Sequence, residues 1–255
     1  MPCQQSSTAN LLLRALSEAD FALLAPHLEH EQLKFKDPIF NPNEPIERVY
    51  FLENGVASIV SEQENGDEVE VGLYGREGMS GAPVVMGAEQ SPHASMVQVG
   101  DPAAYSIDSG RLLEACDSSA ALRRLLTRYV QSLNIQAAST AASNAHYALP
   151  ERLARWLLMC HDRTDDDRME LTHEFLSMML AVRRSGVTVT LHTLEATGAI
   201  RSARGVVTVT NRSRLEEIAG DAYGQAEAEY RRLIGPFGGG RHGMAALASR
   251  SATSH

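Results

Sequence analysis

This chain lacks the residues for disulfide or metal chemistry. Its three cysteines, Cys3, Cys116 and Cys160, are odd in number and far apart. They supply neither a disulfide framework nor a zinc site of the CxxC kind, and no metal or cofactor is expected. No apolar run approaches the roughly 20 residues that cross a bilayer, so a membrane is not an expected partner. The first eight residues show no charged region leading into an apolar one, which places the expected location in the cytoplasm. No internal repeat is evident. The chain has no glycine-rich phosphate loop, no nucleophile elbow, no paired zinc-binding histidines on a helix and no persuasive catalytic triad, so an enzyme is not expected. The acidic stretch 162–167 reads as a solvated loop.

What is present is an uneven charge on an ordinary globular composition, 44% hydrophobic and 22% charged. The net charge is −9, and residues 1–150 carry 9 basic against 19 acidic residues. Residues 183–214 reverse the sign: Arg183, Arg184, Arg201, Arg204, Arg212 and Arg214 stand against Glu195 alone. A local basic patch on an acidic protein is what contact with phosphates requires.

That patch overlaps the most structured pattern in the chain. Thr172 can cap a helix whose first turn holds His173 and Glu174. Phe175, Leu176, Met179 and Leu180 follow at helical spacing, and Ala181 suits a tight turn. In a second helix Val187, Thr190, Leu191 and Leu194 share one face, and Gly198 ends the run. The opposite face carries Arg184, Ser185, Thr188, Val189 and His192, placed to enter a major groove, where arginine pairs with guanine and Thr or Val meets a thymine methyl. A short hairpin with Arg201 and Arg204 comes next. Taken locally, the β-branched run from Val187 to Thr190 favours a strand, and two short helices could form an ordinary helical hairpin.

The stretch from Leu171 to Ile200 resembles, without a gap, the helix-turn-helix of the Crp/Fnr superfamily of bacterial transcription regulators. Thr172, Phe175, Leu176, Arg184, Leu191, Leu194, Glu195 and Ile200 carry the match, and it extends more loosely over residues 10–222. The resemblance implies an α+β fold: a cyclic-nucleotide-binding-like β-roll (8–117), a dimerisation helix (118–149) and a winged helix-turn-helix (150–222). Beyond the resemblance, residues 223–255 read as a C-terminal helix and, from Pro236 on, a disordered tail by composition. The resemblance implies double-stranded DNA as partner, contacted by Thr172, His173, Arg183, Arg184, Ser185, Thr188, Val189, His192, Arg201 and Arg204. It also adds a second copy of the chain, RNA polymerase and an unidentified small-molecule effector to the expected partners.

The residues of the N-terminal half agree. Residues 8–30 read as helical, and short alternating strands follow, with Asn54-Gly55 as a hairpin turn and Asn65-Gly66-Asp67 as another. Gly75, Gly78 and Gly81 keep the shape of the family's phosphate cassette. Its glutamate falls at Ser80 and its arginine near Pro92-His93, however, so a cyclic phosphate would lack its guanidinium and control by cAMP is not expected. Arg76, Gly78, Ser80, His93 and Ser95, with Ser139 from the long helix, are the candidates for another ligand. In that helix Leu122, Leu126, Tyr129, Leu133, Gln136, Thr140, Ser143 and Tyr147 form a heptad-like seam, either a dimer contact or one face of a core helix. Ser213 and Glu216 read as a capping box opening a final helix to about Ile234. The leading reading is a dimeric, sequence-specific DNA-binding regulator. The alternative is a ligand sensor whose helix-turn-helix mediates protein contacts.

Overall fold

The computed structural model describes residues 3–62 and 68–238, in two compact units, Met1–Asn134 and Ile135–His255. The Asn65-Gly66-Asp67 turn and residues 239–255 of the expected tail lie outside the described residues. No described helix is long and apolar enough to cross a membrane.

The first unit opens with helices shorter than expected. Asn10 Oδ1 accepts from Leu13 N at 3.0 Å and caps α1 (Leu11–Arg14). Ser17 caps a separate α2 (Glu18–Leu24). Pro26 then sits in a 3-10 turn, and the chain turns extended as β1 (Glu29–Gln32). The helical stretch expected over 8–30 is therefore divided at Ser17, where the sequence also offers a helix start, and ends early at a proline that lacks an N–H.

There follow β2 (Pro38–Phe40), β3 (Arg48–Leu52), β4 (Val56–Glu62), β5 (Glu68–Tyr74), α3 (Ala82–Val85), β6 (Ala94–Val99), β7 (Ala103–Asp108) and α4 (Ser109–Ser118). They form two antiparallel sheets, ordered β1-β7-β3 and β2-β6-β4-β5. The expected hairpin at Asn54-Gly55 is not one. β3 pairs with β7, whereas β4 pairs with β5 and β6, so the turn carries the chain from one sheet to the other. Asn54 Oδ1 accepts from Ala103 N at 3.1 Å, and a Cβ on Gly55 would stand 2.6 Å from the Val99 carbonyl. The glycine, with φ +74°, answers this close approach rather than a two-residue hairpin. Val49, Phe51, Leu52, Val56, Leu73, Met79, Val97 and Ile107 fill the core between the sheets.

The long helix α5 (Ala120–His146) belongs to both units. Leu122, Leu126 and Tyr129, the apolar half of the expected seam, are buried in the core of the first unit, and Tyr129 OH donates to the Met79 carbonyl at 3.0 Å. Gln136 and Ser143 are buried in the second. Leu133, Thr140 and Tyr147 of the same series are half-buried. A coiled-coil seam and a straight core stripe drift apart by only about 20° per heptad, so the spacing alone does not separate them.

The second unit holds α6 (Leu149–His161), β8 (Arg168–Glu170), α7 (His173–Met179), α8 (Arg184–Ala196), β9 (Ile200–Ala203), β10 (Val206–Val209), α9 (Arg212–Ala219) and α10 (Gln225–Leu233). The strands form one sheet, β8-β10-β9. The final helix differs from expectation in two ways. Its cap is Asn211, whose Oδ1 accepts from Arg214 N at 3.0 Å, not Ser213. It also breaks at Gly220, φ +50°, before α10. Pro236 and Phe237, expected in the tail, are ordered. Phe237 is 2% exposed, its ring centroid lies 5.1 Å from that of Tyr230, and the Arg163 guanidinium sits 4.9 Å from the ring.

Candidate nucleic-acid interface

Thr172 Oγ1 accepts from Phe175 N at 3.1 Å and starts α7. Phe175, Leu176 and Met179 are buried, and Phe175 meets Trp156 of α6 edge-on at 5.9 Å. Ala181 takes φ +51° in the turn between the helices. Arg152 of α6 braces this turn: its Nη2 donates to the Leu180 carbonyl at 2.5 Å and its Nε to Asn144 Oδ1 at 2.9 Å. Burial draws its guanidinium pKa below the usual value. In α8, Val187, Thr190, Leu191 and Leu194 are buried. That apolar stripe is why the β-branched run folds as a helix; burial at helical spacing overrides local strand preference.

The outer face of α8 presents Arg184, Ser185, Val189 and His192 to solvent, and Arg183 stands exposed at the N-cap. Val189 is 66% exposed, the one exposed large hydrophobic residue among the described residues of this unit. Thr188 is half-buried. Its hydroxyl donates to the Arg184 carbonyl at 3.2 Å, which leaves its oxygen to accept from His173 Nδ1 at 2.9 Å. His173 and Thr188 thus tie α7 to α8. His192 Nδ1 lies 3.4 Å from Glu195 Oε2, while Glu195 Oε1 accepts from Ser202 N at 2.5 Å and joins the end of α8 to β9.

The wing turn is Arg204-Gly205, with φ +52° and +78°. Two successive left-handed residues match the type I′ geometry that the twist of a tight hairpin favours. They set Arg204 at the tip and Arg201 on β9, both exposed. The basic patch is smaller than the sequence count. Arg212 is spent on Asp162 Oδ1 at 2.8 Å and Glu216 Oε1 at 2.9 Å, and Arg214 on Glu217 at 2.6 Å. Arg183, Arg184, Arg201 and Arg204 have no ion pair among the described residues.

Asp162, expected in a solvated loop, is buried. It accepts from Arg212 Nη2 at 2.8 Å and from Tyr223 OH at 2.7 Å. Burial and the Asp162 charge push the Tyr223 phenol far above its usual pKa. Glu227 of α10 is also buried, and its Oε2 accepts from Gly224 N at 3.1 Å. Burial, then the Asp162 charge, raises its carboxyl pKa. The partners of Asp162 lie fifty and sixty-one residues along the chain, and no local pattern signals them.

The ligand candidates scatter. Ser80 and His93 line a cavity of about 290 Å³ in the first unit, walled by Phe40, Ile59, Met79 and Leu133. Ser80 Oγ accepts from Tyr50 N at 2.9 Å. Ser95 is buried behind this wall, its Oγ 2.8 Å from Tyr74 OH. Gly78 is covered, since a Cβ there would stand 2.3 Å from the Tyr129 ring. Arg76 is half-buried and not part of the lining. Ser139 lies in the second unit, with its Oγ 3.4 Å from Gln225 Oε1.

Comparison with known proteins matches residues 151–218 to the Crp-like helix-turn-helix domain and residues 30–119 to the cyclic nucleotide-binding domain. No curated protein sequence matches the chain. Among solved structures, it resembles a putative Crp/Fnr family transcriptional regulator from Eubacterium rectale, with 18% identity, coverage of 82% of this chain and 97% of that one, and a TM-score of 0.63. A CRP family transcriptional regulator from Thermus thermophilus is 20% identical over 76% of this chain and 98% of that one, TM-score 0.64. FixK2 from Bradyrhizobium japonicum is 18% identical over the same shares, 76% and 98%, TM-score 0.64. At these identities the structural likeness is one of fold.

Proposed function

The chain belongs to the Crp/Fnr family of transcriptional regulators, and from that premise we propose that it binds a pseudo-palindromic DNA site as a homodimer, without control by cAMP. A regulator of this kind is not an enzyme; its work is binding. The observation that carries the DNA reading is the outward face of α8, where Arg184, Ser185 and Val189 stand clear of the core, with Arg183, Arg201 and Arg204 likewise free of ion pairs among the described residues. Arg184 suits guanine and Val189 a thymine methyl, while Arg183, Arg201 and Arg204 suit backbone phosphates. Thr172 and His173 open α7 beside them. Thr188 and His192 have intramolecular partners and act more through position than through free donors.

Pairing of two copies falls to α5. Within the seam expected there, Leu133, Thr140 and Tyr147 are only half-buried by the chain itself and offer a second copy contact area. Two-fold symmetry then sets the half-sites about one helical turn apart. RNA polymerase and a small effector complete the proposed partners, with the cytoplasm as the location. The experiment is a selection of bound sequences from a random duplex pool, followed by titration at several salt concentrations. An inverted repeat with a steep salt dependence supports the reading. Selection of no sequence, or binding insensitive to salt, removes it and leaves the protein-contact alternative.

A further inference from the structure

The family implies a cyclic nucleotide in the β-roll, and the residues here do not fit one. None of the residues lining the cavity is Arg, Lys, Asp or Glu. Its ionisable groups are Tyr74 and His93. Burial pushes the Tyr74 phenol well above its usual pKa, so that group stays neutral. Two backbone donors of the loop are also taken. Gly78 N donates to Gly75 O at 3.1 Å and Ser80 N to Tyr50 O at 3.0 Å, so both amides are already used. Pro83, in the first turn of α3, has no N–H. The Glu77 carboxylate is buried in the same loop and accepts from Gly75 N at 3.1 Å. A phosphate entering this cavity would be a desolvated charge facing no arginine or lysine, the costly case for burial.

The geometry points to a different occupant: the cavity takes a compact, uncharged, mainly apolar molecule with one or two hydrogen-bonding groups. This rests on the proposed cAMP independence and deepens it. About 290 Å³ is at the small end of the usual range for ligand sites, which suits one or two fused rings rather than a nucleotide. Phe40, Ile59, Met79 and Leu133 supply the apolar walls. Ser91, His93 and Asn134 supply the polar points. The His93 ring and the Asn134 amide have no hydrogen-bond partner among the described residues, so both are available to a ligand. Met86, 64% exposed at the rim, is an adaptable apolar contact at the entrance.

A matched pair of probes tests this. Titration calorimetry of the full chain would compare 2-naphthol, neutral at pH 7, with 2-naphthoate, and both with cAMP. The expected result is saturable binding of 2-naphthol, about tenfold or more tighter than 2-naphthoate, with no binding of cAMP. Ala82→Phe, which fills a partly exposed position in the wall, should abolish 2-naphthol binding. Leu133→Arg, which adds the missing cation, should invert the preference toward 2-naphthoate. Failure of 2-naphthol to bind, or equal binding of the two naphthalenes, overturns the inference and leaves cAMP independence standing. Tight binding of cAMP overturns both. Neither outcome touches the DNA reading.

Discussion

His173 Nδ1 lies 2.9 Å from Thr188 Oγ1, joining the first residue of one helix to the outward flank of the next. The bond ties the start of α7 to α8, because the Thr188 hydroxyl is itself held by the Arg184 carbonyl. Thr188→Val should leave the His173 N–H unpaired and cost about 1 kcal/mol of stability. Thr188→Ser should keep most of it. Thermal unfolding of the two variants checks this, and equal midpoints would mean that the bond contributes nothing.

Arg184 and Arg204 should fail differently. Arg184 stands on the exposed face of α8, and Arg204 at the tip of the hairpin. Arg184→Ala should cost about 1–3 kcal/mol on the selected site and little on unrelated DNA. Arg204→Ala should weaken binding to both alike and lower the salt slope by about one. Titration of both variants on a specific and a scrambled duplex, at three salt concentrations, distinguishes base from phosphate contact. The same pattern for both would collapse the distinction.

Val189 predicts a methyl group on the DNA. An apolar side chain 66% exposed on this face gains little until another apolar surface covers it. Replacing thymine by deoxyuridine at its contact position should cost on the order of 0.8 kcal/mol, the burial of one methyl. In Val189→Ala the difference between the two duplexes should shrink toward zero. If the wild type does not discriminate them at any position, Val189 does not read a thymine.

The two helices and the wing were legible because each is local. Thr172 caps, the Val187–Leu191–Leu194 stripe buries at helical spacing, and Arg204-Gly205 makes a hairpin turn. What was not legible depends on partners far along the chain. Asn54-Gly55 has hairpin chemistry, but whether its flanking strands pair is decided by β6 and β7, some forty residues on. Arg212 counted toward the basic patch until Asp162, fifty residues earlier in the chain, neutralised it. The stripe on α5 was visible as a stripe, but spacing does not say whether the same chain or a second copy covers it. The candidate ligand residues suffered most. A loop's glycines outline its shape but not what fills it, and Tyr129 fills the space over Gly78.

Glu227 should make the second unit's stability fall as pH rises. Its folded pKa is raised above the ordinary value of 4.5, so the folded state binds its proton more tightly than the unfolded state. The stability contributed by that proton is full below the ordinary carboxylate range. It is lost as pH rises through the raised folded value. Glu227→Gln keeps an acceptor for Gly224 N and removes the charge. Urea unfolding from pH 4 to pH 8 should show the variant gaining on the wild type as pH rises. A constant difference would mean that the carboxylate is as content inside as in water.

Phe237 lies beyond the matched helix-turn-helix domain, which ends at residue 218, yet it closes that domain's core. Its ring packs on Tyr230, sits under the Arg163 guanidinium at 4.9 Å, and its carbonyl accepts from Arg231 Nη1 at 2.7 Å. Phe237→Ala should cost about 3 kcal/mol, the lower range for truncating a buried phenylalanine, since the site is near the chain's described end and free to relax. Phe237→Leu should recover part of the packing but not the cation–π contact, worth about 1 kcal/mol. Neither variant touches a proposed DNA contact. The ratio of specific to non-specific affinity should therefore stay constant at a temperature where both variants are folded, while the unfolding midpoint drops. An unchanged midpoint for Phe237→Ala would show that the segment after α10 is an appendage, and that residues 150–222 carry the stability of the domain unaided.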